Sequence, residues 1–175
     1  MKKLMMSTAV ITVIATILMA VLFVNFEADI LFSLAITFGT IAYHFVMRLL
    51  VGGIVDTIMH NRADYNKKWY QLRPFEEKLY KKLKVKNWKK KMPTYEPELF
   101  DVKKHTFDEI AQAMCQAEVV HEVIVVFSFL PLITVPVFGS FWVFLITSLL
   151  SACLDLSFVI MQRYNRPRII KLIKK

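Results

Sequence analysis

Long uncharged stretches alternate with short charged ones along this chain, and the alternation predicts its architecture. Four apolar runs stand out: residues 4–26, 30–55, 107–138 and 140–161. Each is about 20 residues or longer, enough for a helix to cross a hydrocarbon core about 30 Å thick. The pattern therefore predicts an all-α membrane protein, a single polytopic domain over 1–175 with four transmembrane helices. The first run follows Lys2 and Lys3; it is too long for a signal-peptide core and no small-x-small site follows it, so it is expected to stay as a helix. In the third run, Thr106 and Glu109 have capping-box spacing, which starts a helix near Phe107. That helix is expected to reach about Leu130, before Pro131 and Pro136 interrupt the run.

The polar segment between the second and third runs, about 57–106, has structure of its own. Pro74 followed by Glu76 and Glu77, then Lys78, Lys81 and Lys82, predicts a short helix over about 74–84, with charges ordered to suit its dipole. Phe75, Leu79 and Leu83 recur on one face, and Trp69, Tyr70, Trp88 and Tyr95 surround it. Such a helix is expected to lie in the headgroup layer on the cytoplasmic side, in a structural rather than a catalytic role.

Composition sharpens this reading. Of 175 residues, 56% are hydrophobic, more than a soluble domain of this size ordinarily hides. The formal charge of +9 is clustered: of 23 lysines and arginines, two precede the first run, 14 lie between His60 and His105, and six lie from Arg163 onward. The short outer connections carry none. With four spans, every basic segment falls on one side, which the positive-inside rule makes cytoplasmic, as are both termini. Basic and aromatic residues together also suit nucleic acid, but a position between two spans argues against that partner. Cys115 and Cys153 sit in or against apolar runs and imply no disulfide.

Ionisable groups within apolar runs are costly and therefore informative. His44 and Arg48 share one face of the second helix at i,i+4 spacing; Glu118, His121 and Glu122 share one face of the third. Asp155 lies in the fourth, one turn beyond Ser151 and two beyond Ser148. A carboxylate one turn from an imidazole can orient it as a general base, so Glu118 is expected to orient His121. The competing reading is structural, with Arg48 paired to Asp155 or Glu118 to lock the bundle. His121-Glu122 is not a zinc-protease motif, since Val125 stands where a second histidine is needed. One Glu-x-x-His copy is half a di-iron signature. A single metal held by His44, Glu118 and His121 is a lesser alternative to a site without metal. The glycines form no phosphate loop.

The segment Gln162-Arg163-Tyr164-Asn165-Arg166-Pro167-Arg168 resembles the C-terminal signature of the glycosyl-diaponeurosporenoate acyltransferase family, membrane enzymes that acylate the sugar of a glycosylated carotenoid acid. Two further blocks match in order. Arg73-Pro74-Phe75-Glu76, Leu79-Tyr80, Val85, Trp88-Lys89 and Pro93 resemble the family's central block, and Cys115-Gln116-Ala117-Glu118 with His121 resembles its Glu-x-x-His helix. The resemblance runs from about 60 to 170. It implies fatty-acyl transfer from a thioester, an acyl-CoA or an acyl carrier protein, to a hydroxyl of a lipid-linked sugar or other lipid headgroup, with no further cofactor. Under it, His121 is the expected base with Glu118 beside it; His44 and Arg48, which come from the polar pattern of the second helix and not from the resemblance, complete the expected catalytic set. Arg48 or Asn165 is an expected oxyanion donor, and Arg163, Arg166 and Arg168 are expected to hold donor phosphates or an acidic carrier surface. Gln162, Tyr164, Asp155, Glu122, Arg73 and Trp88 are the remaining substrate-binding candidates. The partners implied are membrane lipids and the acyl donor. The rival class is a lipid- or partner-binding membrane protein without catalysis.

Overall fold

A computed structural model describes residues 2–174. Seven α-helices follow one another: α1 (Lys2–Phe26), α2 (Asp29–Met59), α3 (Pro74–Lys82), α4 (Val85–Trp88), α5 (Phe107–Phe127), α6 (Val135–Phe138) and α7 (Phe141–Ile173). Tighter 3-10 turns lie at Lys68–Tyr70, Lys89–Lys91, Pro97–Phe100 and Leu130–Thr134, and no strand occurs among the described residues. Four segments are long and apolar enough to cross a membrane: Lys2–Phe26, Asp29–Met59, Phe107–Phe138 and Phe141–Ile173.

The described chain forms two compact units, with α2, α5 and α7 contributing residues to both. One unit comprises Lys2–Val51 and Ile124–Leu154. Its α1 and α2 are joined by a tight turn in which Glu27 adopts φ 51° and its N–H returns to the Phe23 carbonyl at 2.8 Å. Phe23 and Phe32 rings meet beside the turn, 5.1 Å between centroids. At Gly39 the helices approach so closely that an added Cβ would lie 3.3 Å from Thr16 Cγ2. Only Ala9 and Thr12 of α1 are buried, while Leu4, Val10, Ile11, Ile14 and Ile17 are exposed. A surface of that composition suits hydrocarbon rather than water. The Thr8, Thr12 and Thr16 hydroxyls accordingly turn back to carbonyls of their own helix.

The third run is broken where its first proline acts. Pro131 has no N–H to offer the carbonyl four residues back, and its ring crowds that carbonyl, so α5 stops at Phe127, short of the expected Leu130. The Phe127 carbonyl instead accepts from the Tyr43 hydroxyl at 2.7 Å, which ties α2 to the end of α5. The Ser128 hydroxyl donates back to Ile124 at 2.8 Å and meets Ser151 Oγ at 2.7 Å. Arg48 donates to the same Ser151 hydroxyl at 2.8 Å. These bonds give Ser128, Ser151 and Arg48 a place among apolar neighbours.

The other unit comprises Gly52–Val123 and the chain from Asp155 onward. Asp108, Gln112 and Gln116 form an i,i+4 ladder along α5 that holds the chain leaving α2. Gln116 bonds Asp56 (3.0 Å) and the Asn61 N–H (2.6 Å), and Gln112 accepts from the Ala63 N–H (3.3 Å). Asp108 accepts from the Tyr65 hydroxyl (2.7 Å) and from Gln112 (2.6 Å). The capping box is present as expected, with the Glu109 carboxylate accepting from the Thr106 N–H at 2.8 Å. Helix α3 ends at Lys82, slightly before the predicted 84, because Lys84 turns into the left-handed region at φ 49°. Helix α7 differs more: it runs to Ile173, past the predicted 161, and carries the whole 162–168 motif with Pro167 inside it.

Candidate functional site

The chemistry-bearing residues of the second unit gather where α5, α7 and the start of α3 converge. His121, on α5, places Nδ1 2.8 Å from Asp155 Oδ1 on α7. Asp155 is 1% exposed. The imidazole lies flat against Phe158, 4.6 Å between centroids and 12° between planes, so both its position and its tilt are set. An ionised aspartate only accepts, so in a neutral imidazole this pairing favours the tautomer with its proton on Nδ1 and its lone pair on Nε2.

Glu118 does not take the orienting role that its i,i+3 spacing predicts. It has no exposed surface and is claimed by two arginines of α7: Arg163 Nη1 donates to its Oε1 at 2.6 Å, and Arg166 Nη1 donates to its Oε2. Arg163 also grips Glu76 of α3 from both sides, Nε to Oε1 at 2.6 Å and Nη2 to Oε2 at 2.9 Å. Further guanidinium donors go to backbone carbonyls of the loop before α3: Arg163 to Trp69 and Gln71, both at 2.9 Å, and Arg166 to Tyr70, while Arg166 Nε is buried with no hydrogen-bond partner among the described residues. Two carboxylates and two guanidiniums are thus buried with hydrogen bonds around them, the condition under which a buried ion network is tolerated. Arg163 and Arg166 are consequently not free to hold a phosphate, contrary to expectation; they fasten the 69–71 loop and α3 to α7.

Glu76 is the member of this network that the sequence reading passed over. Burial alone would raise its pKa. The Arg163 guanidinium, the Arg73 N–H (2.6 Å) and the Tyr80 hydroxyl (2.8 Å) outweigh burial and hold it at about 2. Tyr80 is pushed upward in turn, by burial and by its bond to that carboxylate. Beside the network lies a cavity of about 210 Å³ lined by Trp69, Arg73, Phe75, Glu76, Glu122 and Arg163. Across it the Trp69 indole N–H donates to Glu122 Oε2 at 3.0 Å.

The other expected site residues take varied places. Gln162 is buried on α7. Tyr164 and Asn165 face Lys89, whose ammonium lies 4.8 Å from the Tyr164 ring centre and donates to Asn165 Oδ1. Arg168 is exposed and stacks on the other partner of that cluster, its Cζ 3.6 Å from the Tyr164 ring centre. Trp88 donates to the Leu83 carbonyl at 3.0 Å, closing the α3–α4 turn rather than facing the cavity. His44 and Arg48 belong to the other compact unit; His44 is buried, and Arg48 holds Ser151 there. Among the described residues, no group of three or more His, Cys, Asp or Glu side chains is arranged to hold a metal ion.

Residues 66–175 match the family model of glycosyl-4,4'-diaponeurosporenoate acyltransferase. The chain belongs to this acyltransferase family. The matched span contains Trp69, Glu76, Glu118, His121, Asp155, Arg163 and Arg166, so the dyad, the ion network and the cavity all fall inside the region of family likeness. Helix α1 and α2, with His44 and Arg48, lie outside it. No curated protein and no solved structure matches the chain. What the glycosyl-4,4'-diaponeurosporenoate acyltransferase match adds to the geometry is the reaction class, acyl transfer.

Proposed function

We propose that this protein transfers a fatty acyl group from a thioester, an acyl-CoA or acyl carrier protein, to a hydroxyl of a lipid-linked sugar at the cytoplasmic face of the cell membrane. Family membership supports the reaction class, and the family's activity on glycosyl-4,4'-diaponeurosporenoate supports a glycosylated carotenoid acid as acceptor. The observation that carries the mechanism is the His121–Asp155 bond of 2.8 Å, made by a carboxylate withdrawn from solvent.

In this reading His121 Nε2 takes the proton of the acceptor hydroxyl as its oxygen attacks the thioester carbonyl. The new C–O bond forms and a tetrahedral intermediate results. It collapses with cleavage of the C–S bond, and the proton on His121 passes to the departing thiolate. The products are an ester and a free thiol. Asp155 keeps the ring in the productive tautomer and balances its positive charge during the step, the part an aspartate plays in hydrolytic triads. The Glu76–Arg163–Glu118–Arg166 network is a positioning device: it holds Trp69 and Glu122 at the cavity wall. Helix α3, with Phe75, Leu79 and Leu83 exposed along one side, rests on the bilayer surface beside that cavity.

The test gives purified wild type and His121→Ala an acyl-CoA and a membrane lipid extract, then detects acylated products by mass spectrometry. The variant is expected to lose a factor of about 100 or more in turnover. Equal product from both removes His121 from the mechanism. Absence of product from either, over a range of donors and acceptors, favours a lipid-binding protein instead.

A further inference from the structure

Three cations meet on one side of the α7 motif without a carboxylate among them. Lys89 and Arg168 both lie over the Tyr164 ring, at 4.8 Å and 3.6 Å from its centre, and Lys90 follows Lys89 in the same 3-10 turn. None of the three takes part in any ion pair among the described residues. Elsewhere the same motif spends its arginines on carboxylates, so the contrast within seven residues is one of chemistry, not of mere composition. The cluster is also held in place. Arg168 donates back to the Tyr164 carbonyl, Lys89 donates to Asn165, and Tyr164 is itself braced edge-on by Tyr80, 6.2 Å between centroids at 72°. Long cationic side chains normally lose freedom on binding an anion; two that already rest on a fixed ring lose less. Burial, and the like charges of Arg168 and Lys90, lower the Lys89 pKa, as crowding of cations without a counter-charge requires.

We propose that Lys89 and Arg168, gathered on Tyr164 and flanked by Lys90 and Asn165, form a phosphate-binding subsite. Arg168 offers the planar fork that matches phosphate oxygens, and Lys89 a point charge held beside it. Two sources carry this chemistry in reach of a membrane surface: the phosphates of coenzyme A or of a carrier's phosphopantetheine arm, and the headgroup of an anionic phospholipid. As a donor anchor the subsite rests on the acyl-transfer reading; as a phosphate site it stands apart from it.

The experiment uses the full chain in nanodiscs of phosphatidylcholine and measures coenzyme A binding by calorimetry for wild type, Lys89→Gln, Arg168→Gln and the exposed neighbour Lys86→Gln. A second arm replaces part of the phosphatidylcholine with phosphatidylglycerol and quantifies by mass spectrometry the phosphatidylglycerol retained on repurification. Weakening of coenzyme A binding by about tenfold or more in Lys89→Gln and Arg168→Gln, with Lys86→Gln unchanged, supports the donor as the source. Loss of phosphatidylglycerol retention in the same two variants, without coenzyme A binding to wild type, supports the headgroup. Lys89→Arg should restore most of either signal, and the melting temperatures show that the variants are folded. Equal binding of both probes by wild type and both variants overturns the subsite, as does an equal loss in Lys86→Gln. His121→Ala should keep coenzyme A affinity while losing turnover, so a failure of the catalytic reading leaves this result standing.

Discussion

At the scale of single residues, two carboxylates that look alike in the sequence do different work. Asp155 meets the imidazole, whereas Glu118 is consumed by two guanidiniums. Asp155→Asn should therefore cut turnover about a hundredfold or more while the protein stays folded, because the amide can no longer balance an imidazolium. Glu118→Gln should act through stability instead, with a loss of about 3–5 kcal/mol from leaving buried arginine charge unpaired. Turnover per folded molecule, compared with the thermal midpoint in detergent, separates the two. Both positions stood out in the sequence as charges in apolar runs, but their partners did not. The i,i+3 spacing of Glu118 and His121 reports proximity along one helix only. The partners that decide their roles come from α7, 34 residues away for His121 and 45 and 48 for Glu118, and no local pattern encodes that pairing. Glu76 was hidden differently, since an acidic residue in a first helical turn already has an explanation in the helix dipole. Its buried role gives a pH dependence with a definite sign. The native carboxyl, at about 2, binds a proton less readily than the unfolded one at 4.5. The stability it contributes is complete above about 4.5 and falls away as pH drops from there toward 2. Unfolding midpoints measured across that window should decline less steeply in Glu76→Gln than in wild type.

At the scale of elements, the apolar runs placed the four long segments well and their ends less well. Hydrophobicity stops near Met161, but backbone hydrogen bonding does not, and α7 continues to Ile173. A helix tracks hydrocarbon thickness only where lipid is its solvent; beyond that, Arg163 and Arg166 replace lipid contacts with ion pairs along the same face. Pro131 shows the reverse, one residue ending α5 inside an apolar run. Helix α3 was legible as an amphipathic helix, yet it has two working faces. Phe75 and Leu79 are exposed on one, and Glu76 and Tyr80 are buried on the other. Substitutions on the two faces should separate. Lys81→Glu with Lys82→Glu, both exposed, should reduce activity in anionic vesicles by about thirtyfold without abolishing it, because each basic group near such a surface contributes about 1 kcal/mol. Adding salt should shrink that difference. Glu76→Ala should instead release α3 from Arg163, seen as rapid proteolysis of the 69–91 segment. Complete inactivation by the lysine changes alone would place α3 in contact with substrate.

At the scale of the whole molecule, orientation follows from charge and parity. We propose that all four candidate segments cross, which would return the chain to the side where it began and put the basic segment between α2 and α5 and the basic end of α7 on one side, the cytoplasmic one by the positive-inside rule. The proposed chemistry depends on this, since acyl-CoA and acyl carrier protein are held in the cytoplasm. The orientation can be read with single cysteines after the native Cys115 and Cys153 are replaced by alanine. Lys91→Cys sits in the basic turn after α4, and Glu27→Cys lies in the α1–α2 connection. A membrane-impermeant maleimide should leave Lys91→Cys unlabelled in intact cells and label it in inverted vesicles, with the opposite pattern for Glu27→Cys. Two sites of opposite expectation guard against a reagent that leaks, because leakage would label both in both preparations. Labelling of Lys91→Cys from outside intact cells, with Glu27→Cys protected, would put the His121–Asp155 unit on the face away from its donor and remove the acyl thioester from the proposal.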